Sequence, residues 1–174
     1  MNKADKRVVF GRIVKSDTPC VFISHKKEDE NIAIAVGNFL MNKLNVDIYL
    51  DLYDIDLQEA VSVENDEKIV ESIKDGIKLS DILLCIITDN TRLSWWVPYE
   101  IGIADNEKKV IASIKTKNIA DFPSFLNTKT TLKSIEELVE LIFKSGRYGG
   151  LFFTEETRDK IKKIDKGELG KYFE

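Results

Sequence analysis

Residues 82–88 read ILLCIIT, six apolar side chains in succession, with Ser80-Asp81 before them and Asp89-Asn90 after. A run this short, apolar on both faces of the pleat, is what a central strand of a sheet covered on both sides requires. Working outward, Ile69, Val70, Ile73 and Ile77 upstream of it fall on one stripe of a helix. Before that helix, residues 46–50 (VDIYL) read as a strand. Earlier still, Ile32, Val36, Phe39, Leu40 and Leu44 recur at helical spacing, behind a further buried strand at residues 19–24 (PCVFIS). Downstream come a polar loop at 89–93, a short helix over 95–104, a strand over 109–114 and a loop at 122–126 that contains Pro123. A helix follows, starting at Thr130 or Lys133, running to Phe143 and bearing Ile135, Leu138, Val139 and Ile142. Strand–helix alternation of this kind predicts an α/β fold, a parallel sheet with right-handed crossovers and helices on both faces.

The chain has 174 residues, enough for one domain with short extensions. We divide it into an N-terminal extension over 1–18, a domain over 19–145 and a C-terminal extension over 146–174. The last carries glycines around Arg147–Gly150 and a charged helix near 154–166, and both extensions are expected to be peripheral. Lys and Arg number 26 against 30 Asp and Glu, a net charge of −4, which argues against nucleic acid as a partner. No stretch is long and apolar enough to cross a bilayer, and residues 1–15 lack the apolar core of a secretory leader. Cys20 and Cys85 both lie in apolar runs, as small buried hydrophobes in a reducing, cytoplasmic setting would. Two cysteines and the single histidine, His25, fall short of a zinc set, and no metal is expected.

In parallel sheets ligands collect beyond the carboxyl ends of the strands, at the point where strand order reverses. The first strand delivers Ser24, His25, Lys26 and Lys27 there, and the second delivers Asp51, Asp54 and Asp56. The 82–88 strand delivers Asp89, Asn90 and Arg92, followed by the helix with Trp95, Trp96, Tyr99 and Glu100. A helix starting near Ser94 sets Trp96 and Glu100 one turn apart on one face. Pro98 is compatible only with its first turn. Adjacent helical residues cannot share a face, so one tryptophan is expected in the core and Trp96 at the border of the site. Taken alone, Glu100 is also what a solvated carboxylate near the positive end of a helix dipole looks like. Ser24 and His25 do not make a nucleophile–base dyad, no G-x-G-x-x-G or P-loop is present, and the acidic stretch 51–65 lacks the glycine of a calcium loop.

These residues resemble the Toll/interleukin-1 receptor (TIR) domain, and within it the NAD-cleaving bacterial and axon-degeneration members. Phe22-Ile23-Ser24-His25 is similar to the family's first box. Residues 69–88 (IVESIKDGIKLSDILLCIIT) are similar to its second helix and third strand, and Ser94-Trp95-Trp96-Val97-Pro98-Tyr99-Glu100 resembles its S-x-W-x-x-x-E motif. The similarity covers roughly residues 19–143. It implies a flavodoxin-like parallel sheet of five strands in the order 2-1-3-4-5. Glu100 would be catalytic, with Ser24, His25, Lys26 and Trp96 contacting substrate. NAD would be that substrate and not a recycled cofactor. The resemblance to TIR subunits of antiphage systems of the Thoeris kind implies association into homo-oligomers on activation, and a separate effector that senses a cyclic or otherwise modified ADP-ribose. The family usually has a glycine in the loop after the second strand. Residues 51–65 have none.

One carboxylate is chemically sufficient for that reaction. A glycosidase needs an acid for its leaving oxygen and a second carboxylate. The nicotinamide of NAD is a cation that departs as a neutral base, which leaves only the oxocarbenium-like ribose to be stabilised, and an ionised carboxylate does this electrostatically. Two other readings compete: a non-enzymatic TIR adaptor or scaffold, and a nucleoside deoxyribosyltransferase-like enzyme with a glutamate nucleophile.

Overall fold

A computed structural model describes residues 19–53, 61–63, 65–117, 119, 123–145 and 154–173. The N-terminal extension, the glycines near Arg147, Asp54, Asp56 and most of the acidic stretch after Asp51 lie outside the described residues.

Five parallel strands form one sheet: β1 (Cys20–Ser24), β2 (Asp47–Tyr49), β3 (Ile82–Ile87), β4 (Val110–Lys115) and β5 (Thr130–Leu132). Their order is β2-β1-β3-β4-β5, the flavodoxin-like arrangement, with its reversal point between β1 and β3. The helices are α1 (Glu30–Leu44), α2 (Asp66–Leu79), α3 (Trp96–Asn106), α4 (Ile135–Ser145) and α5 (Glu155–Lys162). The two faces of β3 explain its unbroken apolar run. Ile82, Leu84 and Ile86 belong to one core with Val36 and Leu40 of α1 and Leu138 and Val139 of α4. Leu83, Cys85 and Ile87 belong to the other, with Ile73 and Ile77 of α2 and Val97 and Ile101 of α3. Strand β1 alternates in step, Val21 and Ile23 to the first core, Cys20 and Phe22 to the second. Phe22 stands opposite Tyr49 of β2, and their rings stack at 5.3 Å with 8° between planes. Gly76 of α2 admits that Tyr49 ring, because a Cβ there would overlap its edge.

Three expectations need correction. Thr130 does not open a helix: residues 130–132 are β5, paired with Ala112–Ile114 of β4, and α4 begins only at Ile135. Leu132 alone of the three is buried, so neither strand nor helix periodicity had enough residues to register. The C-terminal helix ends at Lys162, not near 166, and a 3-10 turn, Gly167–Lys171, follows it. The chain beyond it is not peripheral either. Leu169 and Phe173 are buried in the α1 core, and the backbone N–H of Lys117, just past β4, donates to the carbonyl of Tyr172 at 2.9 Å. No described helix is long and apolar enough to cross a membrane.

Candidate active site

Helix α3 carries Val97, Glu100, Ile101 and Ala104 on its buried stripe, spacings of three, one and three. Glu100 therefore goes down onto the sheet with its apolar neighbours, and only 5 % of it stays exposed. The helix start is fixed by Ser94, whose Oγ accepts from the Val97 N–H at 3.2 Å, and Pro98 sits in the first turn where no N–H is needed. Ser24, the last residue of β1, faces the same side as Phe22 and stands opposite Cys85 of β3. Its hydroxyl donates to Oε2 of Glu100 at 2.5 Å. The carboxyl is thus held beyond the ends of β1 and β3, at the reversal point of the sheet.

Burial is the main reason that Glu100 resists ionisation. It pushes the pKa from its ordinary 4.5 up to about 8; the Ser24 hydrogen bond works against the rise and the charge of Asp51 adds to it. That rise favours the carboxylic acid at neutral pH, whereas the chemistry expected from the sequence calls for a carboxylate. The same burial, reinforced by Glu100, raises the Cys85 thiol and keeps it protonated.

His25 is buried, with Nδ1 3.4 Å from the Ile23 carbonyl oxygen and 3.9 Å from Oδ1 of Asp51. Lys26 extends toward Glu28, its Nζ 3.3 Å from Oε2. Trp96 is half-exposed, edge-on to Tyr99 at 5.9 Å, while Trp95 is 91 % exposed. The expected buried tryptophan is therefore absent. Val97, Ile101 and Ala104 fill the sheet-facing stripe and leave neither indole a place in it. Ser24 and Glu100 are brought into contact; among the described residues no hydrogen bond joins His25, Lys26 or Trp96 to them.

A clamp that sequence reading missed joins the loops on either side of the site. Asp29 is buried, and its Oδ2 accepts from Thr88 Oγ1 at 2.6 Å while Oδ1 accepts from Asn90 Nδ2 at 2.8 Å. It ties the loop after β1 to the loop after β3, and so fixes Ser24 relative to the helix that carries Glu100. In the sequence Asp29 sits in KKEDE, which reads as a solvated charge run. Only the polar strand end Thr88-Asp89-Asn90 hinted at a partner. A separate cavity of about 330 Å³ lies past β3, lined by Ile87, Thr88, Val97, Pro98, Ile101 and Phe125 among others; Glu100 is not part of its wall. Among the described residues no group of three or more His, Cys, Asp or Glu is placed to hold a metal ion.

The geometry agrees with what is found on comparison with known proteins. No curated protein matches the sequence. The chain is similar in structure to the TIR domain of the Toll-related receptor TRR-2 from Hydra magnipapillata, with a TM-score of 0.53 and 19 % identity, covering 71 % of this chain and 90 % of that one. At that identity the likeness speaks for the fold. A family model described as TIR domain matches residues 21–136, a span that holds Ser24, Asp29 and Glu100 together with β2 to β5 and all of β1 but Cys20. The chain belongs to the TIR domain family.

Proposed function

We propose that this TIR domain cleaves the nicotinamide–ribose bond of NAD, with Glu100 as the catalytic residue. The observation that carries the reading is the buried Glu100 carboxyl, held by Ser24 at the reversal point of the sheet. In the resting site that group is neutral. The pyridinium of NAD brings a positive charge beside it, and an opposite charge favours the ionised form. The carboxylate then faces the ribose as positive charge develops on its anomeric carbon, in a setting from which most water is excluded. The C–N bond breaks, its electron pair leaves with neutral nicotinamide, and the oxocarbenium ion is captured by water or by a nucleophile of the same dinucleotide. The products are ADP-ribose or a cyclic form of it. Ser24 holds the carboxylate, and His25, Lys26 and Trp96 contact the substrate. The setting is cytoplasmic, and the product serves as a signal to a separate effector in antiphage defence.

Self-association belongs to this proposal, because a constitutive NAD hydrolase drains its own cell. The rate of nicotinamide release per molecule rises with protein concentration when pure protein is incubated with NAD. A specific activity that stays high and constant on dilution contradicts it. The pH profile follows from the site. Activity in kcat/KM, which reports the free enzyme, rises through about pH 8 as Glu100 loses its proton. Ser24→Ala removes the hydrogen bond that favours the carboxylate, so this limb moves to higher pH. A profile unmoved by the substitution disconnects Ser24 from the catalytic group.

One observation favours an interaction module instead. Leu93 is 68 % and Trp95 91 % exposed, two residues apart in the segment that leads into α3, and exposed apolar surface is commonly a contact for another protein. That reading predicts no nicotinamide release at any concentration.

A further inference from the structure

Tryptophan is highly buried on average, yet 91 % of Trp95 is exposed. Leu93, two residues before it, is 68 % exposed, and Phe125, in the 3-10 turn Ser124–Thr128 after β4, is 45 % exposed. The cavity past β3 lies in the same region. Its apolar walls come from Ile87 of β3, from Val97, Pro98 and Ile101 of α3, and from Phe125 and Leu126 of the turn. Arg92 and Val97, which lie on either side of Trp95 in the chain, both line it. Pro98 and Phe125 are exposed, so the cavity opens on the surface that carries the start of α3.

What this cavity accepts follows from its polar groups. Thr88 and Thr91 line it, but both hydroxyls are engaged within the protein. Thr88 Oγ1 donates to Asp29 at 2.6 Å and accepts the Asn90 N–H at 3.0 Å. Thr91 Oγ1 donates to the Ile86 carbonyl at 3.1 Å and accepts the Thr88 N–H at 2.9 Å. A heteroatom placed against this inner wall goes unsatisfied. The charged lining residues are Asp89 and Arg92, both exposed and of opposite sign, which favours a guest without net charge. The volume of about 330 Å³ is about twice the ~150 Å³ of an apolar cavity that holds benzene. The guest is therefore a fused pair of rings, hydrocarbon in its body and polar only at its edge. An indole, whose one polar group is a single N–H donor, meets each condition.

We propose that the cavity receives Trp95 of a second copy of this chain, each indole inserted into the other copy's cavity across a two-fold axis. Indole and cavity share one surface of the molecule, which is the condition for a self-complementary contact. Each inserted indole removes about 150–250 Å² from water. Two insertions, rimmed by Leu93 and Phe125, fall below the roughly 1,600 Å² of a standard stable interface, so the pairing is weak and concentration-dependent. It gives the self-association in the catalytic reading a surface, and it is tested without NAD.

Sedimentation equilibrium of the intact chain, from low micromolar to submillimolar concentration, is expected to show monomer and dimer in exchange. Trp95→Ala removes both indoles from the pair and lowers the association constant by about 100-fold or more. Phe125→Asp sets a charge in the cavity wall and does the same. Both positions are at the surface, so urea unfolding of the dilute variants stays close to wild type. N-acetyltryptophanamide, titrated calorimetrically, binds to Trp95→Ala, whose cavity is intact, and not to Phe125→Asp. A wild type that is monomeric throughout, or either variant associating as wild type does, overturns the inference. So does a Trp95→Ala protein that fails to bind the probe. A monomeric wild type that binds it assigns the cavity to a free aromatic ligand instead. Failure of the catalytic reading looks different. A chain that pairs through Trp95 yet never cleaves NAD overturns that reading alone. One that cleaves NAD while Trp95→Ala associates like wild type overturns this inference alone.

Discussion

Glu100→Gln lowers the rate of nicotinamide release from NAD by about 10²–10³-fold, roughly 3–4 kcal/mol, with the protein still folded. Glutamine matches glutamate in size, and its side-chain oxygen accepts from the Ser24 hydroxyl as Oε2 does now. What disappears is the negative charge facing the oxocarbenium ion. Because that interaction strengthens in the transition state, the loss falls mainly on kcat, with KM changed much less. Stability moves the other way. The folded protein keeps Glu100 protonated up to about pH 8, whereas an unfolded chain ionises it near 4.5. Its contribution is whole below pH 4.5, drains at up to about 1.4 kcal/mol per pH unit between the two values, and is gone above 8. Glutamine removes this drain, so the variant is at least as stable as wild type at pH 7.5 and gains on it as pH rises. Kinetics with parallel denaturation at pH 5 and pH 8 checks both halves. A folded variant retaining half the wild-type rate excludes Glu100 as the catalytic group.

The second large effect lies beneath the site. Phe22→Ala costs about 3–5 kcal/mol of unfolding free energy, and on the order of 10 °C in Tm for a chain of this length. Phe22 is 2 % exposed in the middle of β1, stacked on Tyr49 and packed in the core shared with Ile73, Leu83 and Val97. The cavity left cannot collapse easily, since Tyr49 is itself held between the sheet and Gly76. Leu93→Ala, at a residue 68 % exposed, stays within about 0.5 kcal/mol. Urea unfolding of the two variants measures the difference. A Phe22→Ala loss under about 1 kcal/mol contradicts the packing described.

Legibility in the sequence followed burial on both sides. Strand β3 announced itself because all six residues are buried, and α2 because Ile69, Ile73 and Ile77 repeat at helical spacing. Strand β5 did not, since it has three residues and one buried side chain. The docking of Leu169 and Phe173 escaped notice for a related reason: two apolar residues within a charged run make no periodic stripe. Ser24 and Glu100 were legible as a pair of strand-end and helix residues. Their hydrogen bond and the neutral state of the acid were not, because both depend on which face of α3 meets the sheet. The tryptophans show the converse. Their size suggested a core position, but the smaller Val97, Ile101 and Ala104 had already filled it.

Mass analysis of NAD after incubation with the concentrated protein at pH 8 tests the central claim most directly, because it reads the bond that breaks. The account predicts free nicotinamide in equal amount to ADP-ribose or its cyclic form, produced by wild type and reduced about 10²-fold or more in Glu100→Gln. NAD recovered unchanged by wild type at concentrations where the protein associates, with the two proteins indistinguishable, contradicts it.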